Sequence, residues 1–365
     1  MTGNDTHDMA TVLFSYKLCG FGGGAEKNIV DVAEHIARRH RVLFLIAGGY
    51  VDPRMSALGK VYYFPSRGRI ALFPIDLLYL AYVALREKVD VVHAHHRYPA
   101  FLATLLRRVL DIKLLTTVHN HFPDKARISL WGDRAIAVSQ GVKDWLVGEC
   151  GLDPVRIATI YNGIHEPERY PAGQLDALRA ELSVPNDVPV LCSVGRLTKQ
   201  KNYPNLFAAL AQMAQSPWML LLVGDGEDRG ALTQIALSLG LDGRIHFLGH
   251  RLDVDKIMQI SDLFVMSSAW EGFPYVIVEA LANTLPIVST AVGGVAEGVV
   301  DGVTGFTVRP GDPEQLAGKI KLLLDDPVLR ATLSKNGREL FRVKFQIDAM
   351  FAQVDREYEA LLSAK

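Results

Sequence analysis

The sequence predicts an α/β protein of two domains, each a doubly wound parallel sheet. Three observations carry that expectation. Apolar runs of strand length alternate with segments of helical period along both halves of the chain, with no internal repeat and no low-complexity tract. At 365 residues the chain is long enough for two domains with a sizeable core. Residues 165–173, rich in proline and charge, interrupt the alternation near the middle. The expected boundaries are 1–168 for the first domain and 169–342 for the second, with a terminal helix over 343–365.

Residues 10–15 form the first strand, and glycine-rich 19–25 leads into a helix over 26–39, with Ile29, Val32, Ala33 and Ile36 at helical spacing. Gly20-x-Gly22-x-x-Ala25 matches the dinucleotide fingerprint, which admits an NAD-dependent oxidoreductase as a rival reading. That fingerprint also needs a carboxylate at the end of the second strand. Here 41–47 runs into Gly48-Gly49-Tyr50, and the rival is weakened. Residues 70–88 read as a largely buried helix. Residues 90–95 are a strand ending in histidines, with His96 beside them, but no acidic or thiolate partner stands at metal-ligand spacing. An apolar helix over 101–110 carries Arg107-Arg108 near its end. The next strand, 113–119, places His119 at its carboxyl end, where open α/β sheets hold their working groups. A lone histidine there reads as structural about as readily as functional. Strand 134–139, helix 140–149 and the stretch 157–164, with its Asn162-Gly163 turn, close the domain.

The second domain opens with strand 188–195, which runs into Arg196-Leu-Thr-Lys199-Gln-Lys201-Asn202. Three cations so close together repel one another unless an anion sits among them. Arginine offers a bidentate fork and lysine a mobile point charge, and both suit a diphosphate. An exposed basic loop would carry the same residues. Residues 218–223 are a strand ending in Gly224-Asp225-Gly226, and 244–249 another, followed by His250-Arg251.

Residues 262–290 then read strand, loop, helix, strand. The apolar runs 262–267 and 285–290 suit strands buried on both faces. Between them Glu271-Gly272-Phe273-Pro274-Tyr275 opens a helix, with Pro274 suited to the first helical position and Gly272 to a tight turn before it. Such a helix start offers free N–H groups and the positive dipole end to an anion. Glu271, before the helix, and Glu279, on its second turn, would repel that anion. They can accept hydrogen bonds from hydroxyls flanking it, which is the outline of a nucleotide-sugar site. Gly293-Gly294 follows, 301–308 looks like a hairpin, and 313–324, 327–341 and 345–362 are helices.

Glu271-x7-Glu279 within EGFPYVIVEALA, together with GRLTKQKN over 195–202, resembles the retaining GT-B glycosyltransferases of family 4, the group 1 glycosyl transferases. The likeness covers nearly the whole chain and is strongest over 190–308. It implies the GT-B architecture, two Rossmann-like domains facing across a cleft, with the last helix crossing back to the first domain. It implies retaining transfer from a nucleotide-sugar donor, UDP- or GDP-linked, to a glycan or lipid-linked acceptor. Gly23 and Gly24 would face the diphosphate. Gly195, Arg196 and Lys201 would bind it, with Gly272, Phe273, Pro274 and Tyr275 at the helix start. Gly224 would lie under the nucleotide, and the backbone at Arg251 beside the base. Glu279 would hold the ribose hydroxyls, Glu271 a hydroxyl of the donor sugar, and His119 the transferred sugar. His119, Glu271, Arg196 and Lys201 form the implied catalytic set. No cofactor and no metal are expected, since the donor is a substrate and no Asp-x-Asp motif stands on a strand end. Asn202 departs from the family, which often has glycine there. A nucleotide-sugar-binding protein without turnover is the second rival, and the presence of Glu271, Glu279, Arg196 and Lys201 speaks against it.

Composition agrees with a globular enzyme: 49% apolar, 22% charged. A net charge of −1 argues against a nucleic-acid binder. Residues 1–170 hold 21 Lys/Arg against 17 Asp/Glu, a net of +4, and the remainder 18 against 23, a net of −5. The basic front half would tolerate an acidic membrane face, although a solvated surface has the same composition. Cys19, Cys150 and Cys192 fit neither a disulfide framework nor a zinc pattern. The first residues lack a signal peptide's pattern, and the longest apolar stretch, 70–85, is too short to span a bilayer. The expectation is a cytoplasmic protein, with peripheral contact at the inner membrane surface left open.

Overall fold

The computed structural model describes residues 9–17, 23–49, 51–121 and 131–363. Gly20, Gly22, Cys19 and Tyr50, singled out above, lie outside them. The chain forms two compact units, Met1–Ile160 with Met350–Lys365, and Tyr161–Ala349.

The first unit runs β1 (Thr11–Tyr16), α1 (Gly24–Ile36), β2 (Arg41–Ile46), α2 (Pro53–Leu58), β3 (Val61–Tyr63), α3 (Phe73–Glu87), β4 (Val91–Ala94), α4 (Arg97–Leu106), β5 (Lys113–Val118), β6 (Arg134–Ala137), α5 (Gln140–Gly148) and β7 (Ile157–Thr159). Its seven strands stand in the order β3-β2-β1-β4-β5-β6-β7, and every pairing is parallel. The second unit continues α6 (Ala172–Glu181), β8 (Val190–Val194), α7 (Tyr203–Ala211), β9 (Met219–Val223), α8 (Arg229–Ser238), β10 (Ile245–Gly249), α9 (Val254–Gln259), β11 (Leu263–Met266), α10 (Tyr275–Ala282), β12 (Ile287–Thr290), β13 (Gly305–Val308), α11 (Pro313–Asp325) and α12 (Pro327–Lys344). Its six strands are ordered β10-β9-β8-β11-β12-β13, again all parallel. The last helix, α13 (Ile347–Ser363), belongs to the first unit from Met350 onward.

Strands buried on both faces explain the near-continuous apolar runs that made them readable. Leu13, Phe14, Val91, Val92 and Leu114 in the first sheet are wholly buried, as are Leu191, Leu220, Phe264 and Val288 in the second. In each sheet the order reverses beside the first strand, between β1 and β4 and between β8 and β11. At such a switch point the two flanking loops diverge to opposite faces and leave a crevice beyond the strands' carboxyl ends.

Within the first unit α13 is fixed by polar contacts. Arg134 forms a two-pronged pair with Glu357 at 2.6 and 3.1 Å. His35 Nε2 lies 2.8 Å from Asp355, and the Tyr358 hydroxyl 2.8 Å from His93 Nδ1.

Three expectations are corrected. The stretch 301–308 is not a hairpin: β13 lies parallel to β12, Ile287 opposite Gly305 and Thr290 opposite Val308. The intervening residues give the chain room to cross over, and at Gly305 a Cβ would stand 2.4 Å from the Ile287 carbonyl oxygen. Residues 172 and 173, read as the end of the linker, instead open helix α6. The helix read over 70–88 is not largely buried; α3 buries only Asp76, Leu80, Val83 and Ala84.

Candidate active site

In the second unit the switch point is built from the loops after β8 and β11. Those strands are neighbours, Leu191 beside Leu263 and Cys192 beside Phe264. Beyond β8 the backbone is crowded. Gly224, at φ +127°, follows β9, and a Cβ there would lie 2.1 Å from the Gly195 carbonyl oxygen, so two strand ends touch where only glycine fits. Gly195 is closed in from the other side by Lys201 Cε and the Tyr203 hydroxyl, at 2.9 and 3.0 Å from where its Cβ would be. Lys199–Lys201 make one 3-10 turn, and Asn202 ends it in the left-handed conformation, φ 48° and ψ 46°. Glycine and asparagine tolerate that conformation best, which accounts for asparagine at this position.

The turn delivers Lys201 to Glu271. Nζ stands 2.6 Å from Oε1, with 15% and 8% of the two side chains exposed. The Ser268 hydroxyl donates to the same oxygen at 2.8 Å, and the Gln200 amide to Oε2 at 3.2 Å. The loops are also joined through the backbone, Ala269 N donating to Gln200 O at 2.8 Å, while the Ser267 hydroxyl donates to Lys201 O at 2.9 Å. The cation cluster of the sequence therefore finds part of its counter-charge within the fold. Arg196 is exposed, as is Lys199.

From Glu271 the chain enters α10. Pro274 is the N-cap rather than the first helical residue, with φ −76° and ψ 132°, and the helix starts at Tyr275. A proline suits that extended cap as well as it suits the next position, so the sequence signal was ambiguous by one residue. Gly293, at φ +53° after β12, lies so close that a Cβ would meet Glu271 O at 1.9 Å, and Gly294 N donates to Gly272 O at 2.7 Å. Asn162 holds the other side, its amide donating to Phe273 O at 2.7 Å. Glu279 is partly buried on the helix. The structure thus gathers Gly195, Lys201, Glu271 and Gly272, with Gly224 behind them. The Arg251 side chain turns elsewhere, paired with Asp253 at 2.7 Å and Glu181 at 2.9 Å. Both carboxylates hold its guanidinium above the usual arginine range.

In the first unit Gly23 caps α1 in an extended conformation, and Gly24 begins it. His119 follows β5, and His95 follows β4 next to it, their Nε2 and Nδ1 atoms 3.0 Å apart. Burial first, then neighbouring histidines, lowers both: His119 to about 4 and His95 well below its ordinary value. Both rings are neutral at pH 7, so one donates and the other accepts. His95 Nε2 is buried without a hydrogen bond. A bare lone pair costs less there than a stranded N–H. That assigns the proton to His95 Nδ1, which donates to His119 Nε2 and leaves His119 its proton on Nδ1. His93 lies beneath, its Nε2 2.8 Å from Thr117 Oγ1. Among the described residues no cluster of three or more His, Cys, Asp or Glu is placed to hold a metal ion.

Sequence reasoning missed Ser268, Gln200 and His95 as partners of the named residues. Ser267-Ser268 directly after an apolar strand was the available signal. Lys201 and Glu271 are 70 residues apart, and nothing local announces their pairing.

A family model described as "Glycosyl transferases group 1" matches residues 175–340, and one described as "Glycosyltransferase Family 4" matches residues 22–166. The N-acetyl-alpha-D-glucosaminyl L-malate synthase of Bacillus anthracis is 28% identical over 297 residues, 78% of each chain. The lipopolysaccharide core biosynthesis glycosyltransferase LpsE of Rhizobium meliloti is 36% identical over 188 residues, 51% of this chain and 53% of that one. Among solved structures, Anabaena HepE in complex with UDP-glucose superposes with a TM-score of 0.85 at 25% identity, covering 96% of this chain and 100% of the other.

Proposed function

The chain belongs to the group 1 glycosyl transferases, glycosyltransferase family 4, with their GT-B fold, and from that premise we propose that it moves a sugar from a nucleoside diphosphate sugar to a glycan acceptor with retention at the anomeric carbon. One observation carries the reading: the buried Lys201–Glu271 pair, 2.6 Å apart, sits at the switch point of the second sheet immediately before the start of α10. The chemical task is to stabilise a departing diphosphate and an oxocarbenium-like centre. Arg196, Lys201 and the helix start at Gly272, Phe273, Pro274 and Tyr275 take up leaving-group charge, with no divalent metal in that role. Lys201 has three donors and can keep Glu271 while turning another to phosphate. Glu271, held by Ser268 and Gln200, accepts from a hydroxyl of the donor sugar. Glu279 holds the ribose hydroxyls, the backbone at Arg251 the base, and Gly224 lies under the nucleotide. Gly23 and Gly24 admit the diphosphate closely, and His119 offers its Nδ1–H to the transferred sugar.

UDP-glucose in HepE supports a uridine donor, and the lipopolysaccharide role of LpsE supports an acceptor built on a lipid-linked or cell-surface glycan. The test is nucleotide release from UDP-, GDP- and ADP-sugars by the wild type and by Glu279→Ala and Arg196→Ala. Release from one donor, lost in both variants and indifferent to EDTA, is the expected result. A protein that binds none of these donors by calorimetry overturns the proposal.

A further inference from the structure

Helix α3 is apolar on two sides, and only one is covered. Inward, Leu80, Val83 and Ala84 are no more than 4% exposed. Asp76 is wholly buried among them, accepting from Ser66 N at 3.0 Å and the Tyr98 hydroxyl at 2.6 Å, so it adds no charge to the outer face. Outward, Ile75, Leu78, Tyr82 and Leu85 recur at helical spacing, 49%, 73%, 48% and 64% exposed. The turn Ile70–Leu72 prolongs this face with Ile70, 64% exposed. Single exposed apolar residues are ordinary on a folded protein; a continuous ladder marks a contact surface.

The charges around the ladder identify the contact. Arg67 and Arg69 precede it, Arg86 and Lys88 close it, and all four are exposed. The nearest carboxylate, Glu87, is drawn inward with 11% of its side chain exposed, paired with Arg41 and accepting from the Tyr62 hydroxyl. It lies 3.6 Å from Arg86 Nε and 3.8 Å from Lys60, so it offsets part of the charge of Arg86 but none at Arg67 or Arg69. Tyr82 stands at the rim with its hydroxyl 2.5 Å from Arg86. Apolar side chains between cations, with a tyrosine at the edge, match acyl chains below anionic headgroups. A second copy of this chain fits poorly, because a self-complementary contact would bring these cations face to face. Among the described residues no helix is long and apolar enough to cross a membrane, so the geometry is that of a helix lying on the surface.

We propose that the outer face of α3 docks the protein on an anionic lipid surface. The docking needs no donor, so its test is separate from that of the transfer reaction. The experiment is flotation of the full chain with vesicles of phosphatidylcholine alone and of phosphatidylcholine with phosphatidylglycerol, at low and high salt. Wild type should float with the anionic vesicles only, and less at high salt. Leu78→Glu/Leu85→Glu should stay in solution with an unchanged melting curve and unchanged donor hydrolysis. Arg67→Ser/Arg69→Ser should bind roughly fivefold more weakly for each arginine removed and show a weaker salt dependence. Wild type that ignores anionic vesicles, or a glutamate variant that floats as well as wild type, overturns the proposal. A dimer in sedimentation velocity that the glutamate variant dissociates also overturns it, assigning the face to a second copy.

Discussion

Lys201 and Arg196 carry the same charge in the same loop, yet they are unequal probes of it. Lys201 neutralises a carboxylate that is 6% exposed, so its removal leaves Glu271 buried and unpaired. That costs about 3–5 kcal/mol, a large share of the roughly 5–15 kcal/mol that holds a domain folded. A Lys201→Ala variant is therefore expected to lose activity and melt early, and its kinetics would mix two causes. Arg196 is exposed, and its truncation should leave stability within about 0.5 kcal/mol. If it meets the leaving diphosphate, Arg196→Ala should slow turnover by about a hundred- to a thousandfold. Melting curves and nucleotide release on the same preparations separate the two effects. Full turnover in Arg196→Ala would remove the residue from the mechanism. The residue types at this site were legible because cations and glycines stand at strand ends. Their partners were not: His95 meets His119 across two strands, and Glu271 meets Lys201 across two loops.

At the scale of elements, the loop after β12 locks the loop before α10, and Gly293 is the contact point. Gly293 and Gly302 both have positive φ, +53° and +70°, but a Cβ at Gly302 meets nothing, whereas at Gly293 it meets a backbone oxygen at 1.9 Å. Gly302→Ala should cost only the conformational strain, about 1 kcal/mol. Gly293→Ala adds displacement of the Glu271–Gly272 backbone, and should cost well beyond that while lowering turnover. Urea unfolding and nucleotide release on the pair measure the difference; equal costs would mean that the loop yields freely. Strands were the most legible elements, since burial on both faces writes an uninterrupted apolar run. The direction of β13 was not legible, because Asp301-Gly302 signals a reversal and is silent about the crossover that brings the chain back from β12. Nor was the outer face of α3. A helix apolar all round normally implies burial, and sequence alone does not say that one side lacks a covering element.

At the scale of the whole molecule, the two units share no sequence repeat and yet wind their sheets in the same sense, with candidate site residues on the loops flanking each reversal. The first unit adds a liability to acid. His93 is wholly buried beneath Phe14, between Thr117 and Tyr358, and burial lowers it to about 3; His95, 6% exposed beside His93 and His119, lies well below its ordinary value. In the unfolded chain both would titrate near about 6.5. Above that value neither state binds these protons, and stability is independent of them. Below it the unfolded chain takes up protons that the folded chain refuses, so stability falls by about 1.4 kcal/mol per pH unit for each such histidine until the folded values are reached. Urea midpoints should therefore hold from pH 8 to about 7 and drop steeply between about 6 and 5. The drop should belong to the first unit, monitored through Trp131 and Trp145, which pack edge to face in it. Trp218, buried in the second core, should report little change over the same interval, because the four histidines that burial lowers, His93, His95, His96 and His119, all belong to the first unit. A midpoint flat to pH 5 would mean that the buried histidines take a proton inside the fold as readily as in the unfolded chain, and that burial does not lower them.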